Sequence, residues 1–132
     1  MDQHDDINGQ MVECPKCASR MARYTHGGIS VDRCPTCAGL WLDALELERL
    51  IDTPAEAREF DRGSSASPRR ADTRKAISCP RDKSPMVAMS DARQPHVSYE
   101  KCTVCGGVFL DAGELRDLAE FTLVERIRSM LG

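Results

Sequence analysis

Paired cysteines are the residues of this sequence best placed to do chemistry. Cys14-Pro15-Lys16-Cys17 and Cys34-Pro35-Thr36-Cys37 are separated by sixteen residues, and Cys102-Thr103-Val104-Cys105 repeats the spacing. Four thiolates satisfy a tetrahedral Zn2+, and two Cys-x-x-Cys pairs joined by a hairpin deliver them. The first expected site is therefore Cys14, Cys17, Cys34 and Cys37. Prolines and small residues inside the pairs suit tight turns whose backbone N–H groups donate to sulfur and orient it. A second site has only three cysteines, Cys79, Cys102 and Cys105, with Asp82 where the first has Cys17. A carboxylate is an acceptable zinc ligand, so Asp82 is favoured as the fourth and His96, at the start of the return strand, is the runner-up. Water in the fourth position, or an empty second site, are the remaining readings.

Rival chemistries are weighed against zinc. Tetrahedral sulfur also suits iron, and rubredoxin-type sites use paired Cys-x-x-Cys with a Cys-Pro knuckle. The low aromatic content, 5 %, argues softly against a buried electron carrier. A thioredoxin-like dithiol belongs beside a βαβ pattern, which is missing. An open position on zinc would suit catalysis, but no general base is marked nearby and three thiolates make a poor Lewis acid. An enzyme is therefore not expected, while a labile or sensing role for the second site stays open. His4 and His26 read as surface residues.

The elements that must position these ligands occur twice. Strands at 20–25 and 29–33 flank the turn His26-Gly27-Gly28. After Cys37 comes the apolar run Leu40-Trp41-Leu42, then Asp43 as the cap of a helix to about residue 52. Glu46 completes a capping box, and Leu42 with Leu47 a hydrophobic staple. Thr53-Pro54-Ala55-Glu56 repeats the start chemistry for a second helix to about residue 60. In the second copy, strands at 85–90 and 96–101 flank a longer turn, and Asp111, Glu114, Leu110 and Leu115 reproduce cap, box and staple. The offset is 65 residues at Cys14/Cys79 and 68 at Cys34/Cys102, so the second hairpin is longer at its turn and its ends still meet at one metal. Trp41 and Phe109 read as packing residues at the ribbon–helix junction, and Met21 and Met86 as core. The last helix, 112–131, places Leu115, Leu118, Ala119, Leu123, Ile127, Met130 and Leu131 on one broad apolar face. Docking on the first unit or pairing with a second copy would cover it.

The resulting fold class is a small metal-stabilised α+β chain. It is expected to hold two tandem zinc ribbons, each followed by a capped helix, with a long amphipathic C-terminal helix. The expected division is a disordered tail at 1–13, the first ribbon with its helices at 14–61, a flexible basic linker at 62–76 and the second ribbon at 77–132. Units of this size cannot bury enough apolar surface to fold unaided, so bound ions replace a large core. The seven cysteines are odd in number, and the start is polar and acidic. With no apolar span for a membrane, reduced cytoplasmic thiols are expected. Ionising all seven thiols around two dications takes the formal charge of −3 to about −6. That balance disfavours indiscriminate binding to a polyanion.

The pattern Cys-Pro-x-Cys, hairpin, Cys-Pro-x-Cys-x-Gly-x-Trp-Leu-Asp-x-x-Glu-Leu resembles the bacterial and archaeal zinc-finger proteins of the transcription factor IIB type. The first unit matches nearly throughout 14–50 and the second over 102–118, departing at Asp82 and Thr103. The resemblance implies a zinc ribbon and bound zinc, not an activity. The expected function is a non-enzymatic adaptor that presents two zinc-stabilised modules to a protein partner. The alternative is a transcription-related nucleic-acid binder using Arg20, Arg23 and Arg33 of the first hairpin with Arg69, Arg70, Arg74 and Lys75 of the linker. An iron redox carrier or zinc enzyme ranks third.

Overall fold

A computed structural model of the chain describes residues 12–62, 77–90 and 98–131. The expected tail at 1–13 and linker at 62–76 fall almost wholly outside these residues, as do Arg69, Arg70, Arg74, Lys75, His4 and His96. Among the described residues nine elements follow in order: β1 (Ala22–His26), β2 (Ile29–Arg33), β3 (Leu40–Asp43), α1 (Ala44–Ile51), α2 (Pro54–Phe60), β4 (Met86–Ser90), β5 (Ser98–Cys102), β6 (Gly107–Leu110) and α3 (Glu114–Leu131). The hairpins stand close to where turn chemistry puts them. The runs after Cys37 and Cys105 are additional strands, β3 and β6.

Those two strands join the repeats. All six strands form one antiparallel sheet in the order β1-β2-β3-β6-β5-β4. Its central pair sets Trp41 opposite Phe109, Leu40 opposite Leu110 and Leu42 opposite Val108. Trp41 and Phe109 hold equivalent places in the two copies, so a local twofold axis passes between them. Each copy supplies the strand that covers the other's edge, as the subunits of a symmetric dimer do.

Alternation along β3 and β6 sends neighbouring side chains to opposite faces. On one face Leu40, Leu42, Val108 and Leu110 join Leu47, Leu50, Ala57, Phe60, Leu115 and Leu118 in a core under the helices. On the other face Trp41 and Phe109 join Met21, Met86 and the cysteines. The aromatic pair therefore packs between the two ribbons on the metal side, not at the ribbon–helix junction. Two glycines make room for it. A Cβ on Gly39 would overlap the Phe109 ring, and one on Gly107 would overlap the Trp41 indole.

Helix starts follow their sequence signals in part. Asp43 accepts from the Glu46 N–H at 2.7 Å, and its own N–H donates to Glu46 Oε1 at 3.1 Å, closing the capping box. Thr53 makes no side-chain cap for α2; its hydroxyl donates to the Arg49 carbonyl of the preceding helix at 2.9 Å. The third helix begins at Glu114 rather than at residue 112. Buried Asp61, just past α2, accepts from the Gly113 and Arg116 N–H groups at 2.8 and 3.0 Å. A carboxylate of the first unit thus holds the positive end of the second unit's helix. Burial pushes the Asp61 carboxyl up, opposed by those two N–H donors.

The expected apolar face of α3 divides in two. Leu115, Leu118 and Ala119 are buried, packed with residues of α1 and α2. Ile127 and Met130 are exposed, and the side chains of Leu123 and Leu131 lie outside the description. No helix among the described residues is long and apolar enough to cross a membrane.

Candidate metal centres

The ligands sit on four short loops of one design. In the first, the Cys14 N–H donates to the Ser19 carbonyl at 2.7 Å and the Ala18 N–H to the Cys14 carbonyl at 2.8 Å. The loop at Cys34 repeats this with Gly39 and Ala38 at 2.9 Å each, and the loop at Cys79 with Ser84 and Lys83 at 2.7 and 2.9 Å. The residue after the second ligand takes a left-handed conformation in all four: Ala18 at φ 62°, Ala38 at 63°, Lys83 at 67° and Gly106 at 79°. For three non-glycine residues that conformation costs on the order of 1 kcal/mol each, so strong local constraints must hold it. The turn points both ligands of a loop inward and frees N–H groups for sulfur.

Those N–H groups form a repeated second layer. Cys14 Sγ accepts from the Cys17 N–H at 3.3 Å, and Cys34 Sγ from Thr36 and Cys37 at 3.4 and 3.5 Å. Cys37 Sγ accepts from Gly39 and Cys105 Sγ from Gly107, both at 3.4 Å. Cys79 Sγ accepts from Arg81 and Cys102 Sγ from Cys105, again at 3.4 Å. Asp82 Oδ1 accepts from the Ser84 N–H at 2.8 Å. N–H donors of this kind stabilise the thiolate and carboxylate forms that bind a cation.

Two tetrads result. Cys14, Cys17, Cys34 and Cys37 form one; Cys79, Asp82, Cys102 and Cys105 form the other. Within each, the ligand atoms all lie within 4.8 Å of one another. Zinc–sulfur bonds of about 2.3 Å in a tetrahedron put sulfurs about 3.8 Å apart, and a carboxylate oxygen about 3.5 Å from a sulfur. The Cys14–Cys37 and Cys79–Cys105 sulfurs are 3.9 and 3.6 Å apart, and Asp82 Oδ2 is 3.4 Å from Cys102 Sγ. Both tetrads fit zinc. Asp82 takes the fourth corner of the second because its loop keeps the backbone of the cysteine loops.

Without an ion the sulfurs share protons. Cys37 is lowered to about 5 because it accepts from the Cys14 thiol, which is itself pushed up. Burial pushes Cys17 and Cys79 up to about 12. In the second tetrad, burial opposes ionisation of Cys102, but the N–H groups of Cys105 and Val104 prevail and lower it. The Ser84 N–H lowers Asp82. Zinc binding therefore displaces protons, from sulfur far more than from Asp82. The two sites also differ in exposure: Cys14, Cys34 and Cys37 are buried, whereas Asp82 and Cys105 are exposed.

Between the units lies a charged contact that sequence reading missed. Lys16, from the first cysteine loop, has a side chain only 2 % exposed. Its ammonium reaches Asp111 at 3.0 Å and Glu100 at 3.3 Å, over the Phe109 ring at 5.3 Å. Its position between two ligands hid this role; an acid at the equivalent place in both copies, Asp43 and Asp111, was the available signal. The basic residues proposed for nucleic acid divide. Arg23 pairs with Asp32 at 3.1 Å, Arg33 lies over the Tyr24 ring at 4.1 Å and donates to the Phe60 carbonyl at 2.9 Å, and Arg20 is exposed. His26 is exposed and meets the Phe60 ring edge-on.

No curated protein and no solved structure matches the chain. A model of the transcription factor zinc-finger family, of the TFIIB zinc-ribbon type, matches residues 13–53 and again 78–120. Those two matches cover more than half of the 132 residues, each spanning one tetrad. The chain belongs to the transcription factor zinc-finger family and carries two tandem TFIIB-type zinc ribbons.

Proposed function

We propose that the protein is a non-enzymatic zinc-ribbon adaptor whose two ions hold a surface for a protein partner. The observation that carries this reading is the fate of the basic residues on the first hairpin. Arg23 and Arg33 are spent inside the chain, on Asp32 and on Tyr24 with the Phe60 carbonyl, so little of the cationic footprint a polyanion needs is left there. Four protein ligands per site leave zinc no position for substrate, which supports a structural role for both ions. Reduced thiols at both sites accord with a cytoplasmic location.

Fluorescence anisotropy with single- and double-stranded DNA and RNA at low salt tests the choice. The adaptor reading expects no saturable, salt-dependent binding. Binding with a steep salt slope that is lost when Arg69, Arg70, Arg74 and Lys75 become glutamine would replace it with the transcription-related alternative.

A further inference from the structure

The two hairpins are covered differently on the face turned away from the metals. On β1 and β2 that face is covered by α2. Ile29 and Val31 are buried in one cluster with Ala57 and Phe60, and Tyr24 packs against it. Arg33, stacked on Tyr24, donates to the Phe60 carbonyl at the end of α2. The repeat equivalents of Ala22, Tyr24, Val31 and Arg33 are Val87, Met89, Tyr99 and Lys101. Strand pairing sets Val87 against Lys101 and Met89 against Tyr99. Met86 points to the metal side, so alternation puts Val87 and Met89 on the far face. There they stay 46 % and 39 % exposed on a strand at the sheet edge. The Lys101 side chain has no hydrogen-bond or ion-pair partner among the described residues.

The same chain carries a surplus of the missing kind. Whereas α1 is followed by the separate helix α2, α3 runs on from Glu114 to Leu131. Ile127 and Met130, three residues apart on one stripe, are 47 % and 85 % exposed. The end of a helix also presents unpaired carbonyls, which the Lys101 ammonium can meet as a hydrogen-bond donor although Arg128 lies in the same turn.

We propose that two copies of this chain pair about a twofold axis, the last turns of α3 from each lying across β4 and β5 of the other. Ile127 and Met130 cover Val87 and Met89, beside Tyr99, which already packs against the core of its own chain, and Lys101 donates to the terminal carbonyls of α3 as Arg33 does to Phe60. A second copy is the occupant because one chain holds both halves of the contact, and a reciprocal interface closes on itself. The inference goes beyond the adaptor reading and does not rest on it.

Sedimentation equilibrium of the zinc-loaded full chain, from micromolar to hundreds of micromolar, reads the outcome. A dimer is expected. The pair Val87→Lys with Met89→Glu, and separately the pair Ile127→Asp with Met130→Asp, should each weaken it by about tenfold or more, some 1.4 kcal/mol. Mixing the two doubly substituted chains is the decisive measurement, because one intact contact then remains and association returns. A monomer at every concentration overturns the proposal, including one whose β4 amides are protected by another segment of its own chain. So does a dimer that neither pair of changes weakens, or a mixture that fails to associate.

Discussion

Lys16 and Arg81 hold the same place in the two units, inside the first ligand loop, yet among the described residues only Lys16 reaches partners across the twofold axis. The reason is one residue on a neighbouring strand. Arg23 faces Asp32 across β1 and β2 and pairs with it, whereas Ala88 faces Glu100 across β4 and β5. Glu100 is therefore available to Lys16, and Asp32 is not available to Arg81. What remains on the Arg81 side is a cleft of about 260 Å3, lined by Arg23, Asp32, Trp41, Asp43, Glu46 and Arg81. That is below the roughly 300–1,000 Å3 of small-molecule sites, so it reads as the unfilled counterpart of the Lys16 contact. Near-identical ligand loops can thus sit in unlike surroundings, one sealed and one open.

The sharpest way to break the comparison is at the metals. Cys34→Ser should unfold the first unit and expose β3, because a structural site's binding energy is folding energy, about 10–16 kcal/mol for zinc-finger peptides. The second unit loses its strand partner and should lose exchange protection in β6 as well. Circular dichroism and hydrogen exchange indistinguishable from the parent would mean that the first tetrad is not what folds that unit.

The next largest difference is between Lys16 and Arg81. Lys16→Met leaves two buried carboxylates without their cation and should cost about 3 kcal/mol. Arg81→Met, at an exposed position, should stay within about 0.5 kcal/mol. Equal losses in denaturant unfolding would show that the two sides of the axis are equivalent after all.

Gly39→Ala and Gly107→Ala place a methyl against Phe109 and Trp41, and each should destabilise by about 1–3 kcal/mol. Phe109→Leu should recover part of the Gly39→Ala loss and none of the Gly107→Ala loss, a pattern that a double-mutant cycle reads directly. Recovery of both or neither would contradict the crossed pairing.

Smallest in its effect on the fold is Asp82→Ala. It should weaken zinc at the second site by at least about tenfold, leave the first tetrad's affinity unchanged and spare the shared core. A chelator titrated against the parent should empty the second site first, since Asp82 and Cys105 are exposed. Unaltered affinity at that site after Asp82→Ala would hand the fourth position to His96 or water.

Much of this was written locally. Cysteine spacing marks three of the four ligand loops, because a tetrahedral ion tolerates few separations along the chain, and the repeat offset from Cys14 to Cys79 marks the fourth, where Asp82 stands for a cysteine. Asp43 with Glu46 marks the start of α1, because a cap and its box partner are three residues apart. The turn His26-Gly27-Gly28 marks the first hairpin for the same short-range reason.

Contacts between the repeats were decided only when the chain closed on itself. β3 and β6 are four-residue runs whose strand character depends on each other, and no local period distinguishes them from buried coil. The glycines at 39 and 107, the capping of α3 by Asp61 and the reach of Lys16 to Glu100 and Asp111 all join residues more than fifty positions apart. Such pairings are specified by which surfaces can be buried together, and a side chain carries no record of its distant partner until that surface exists.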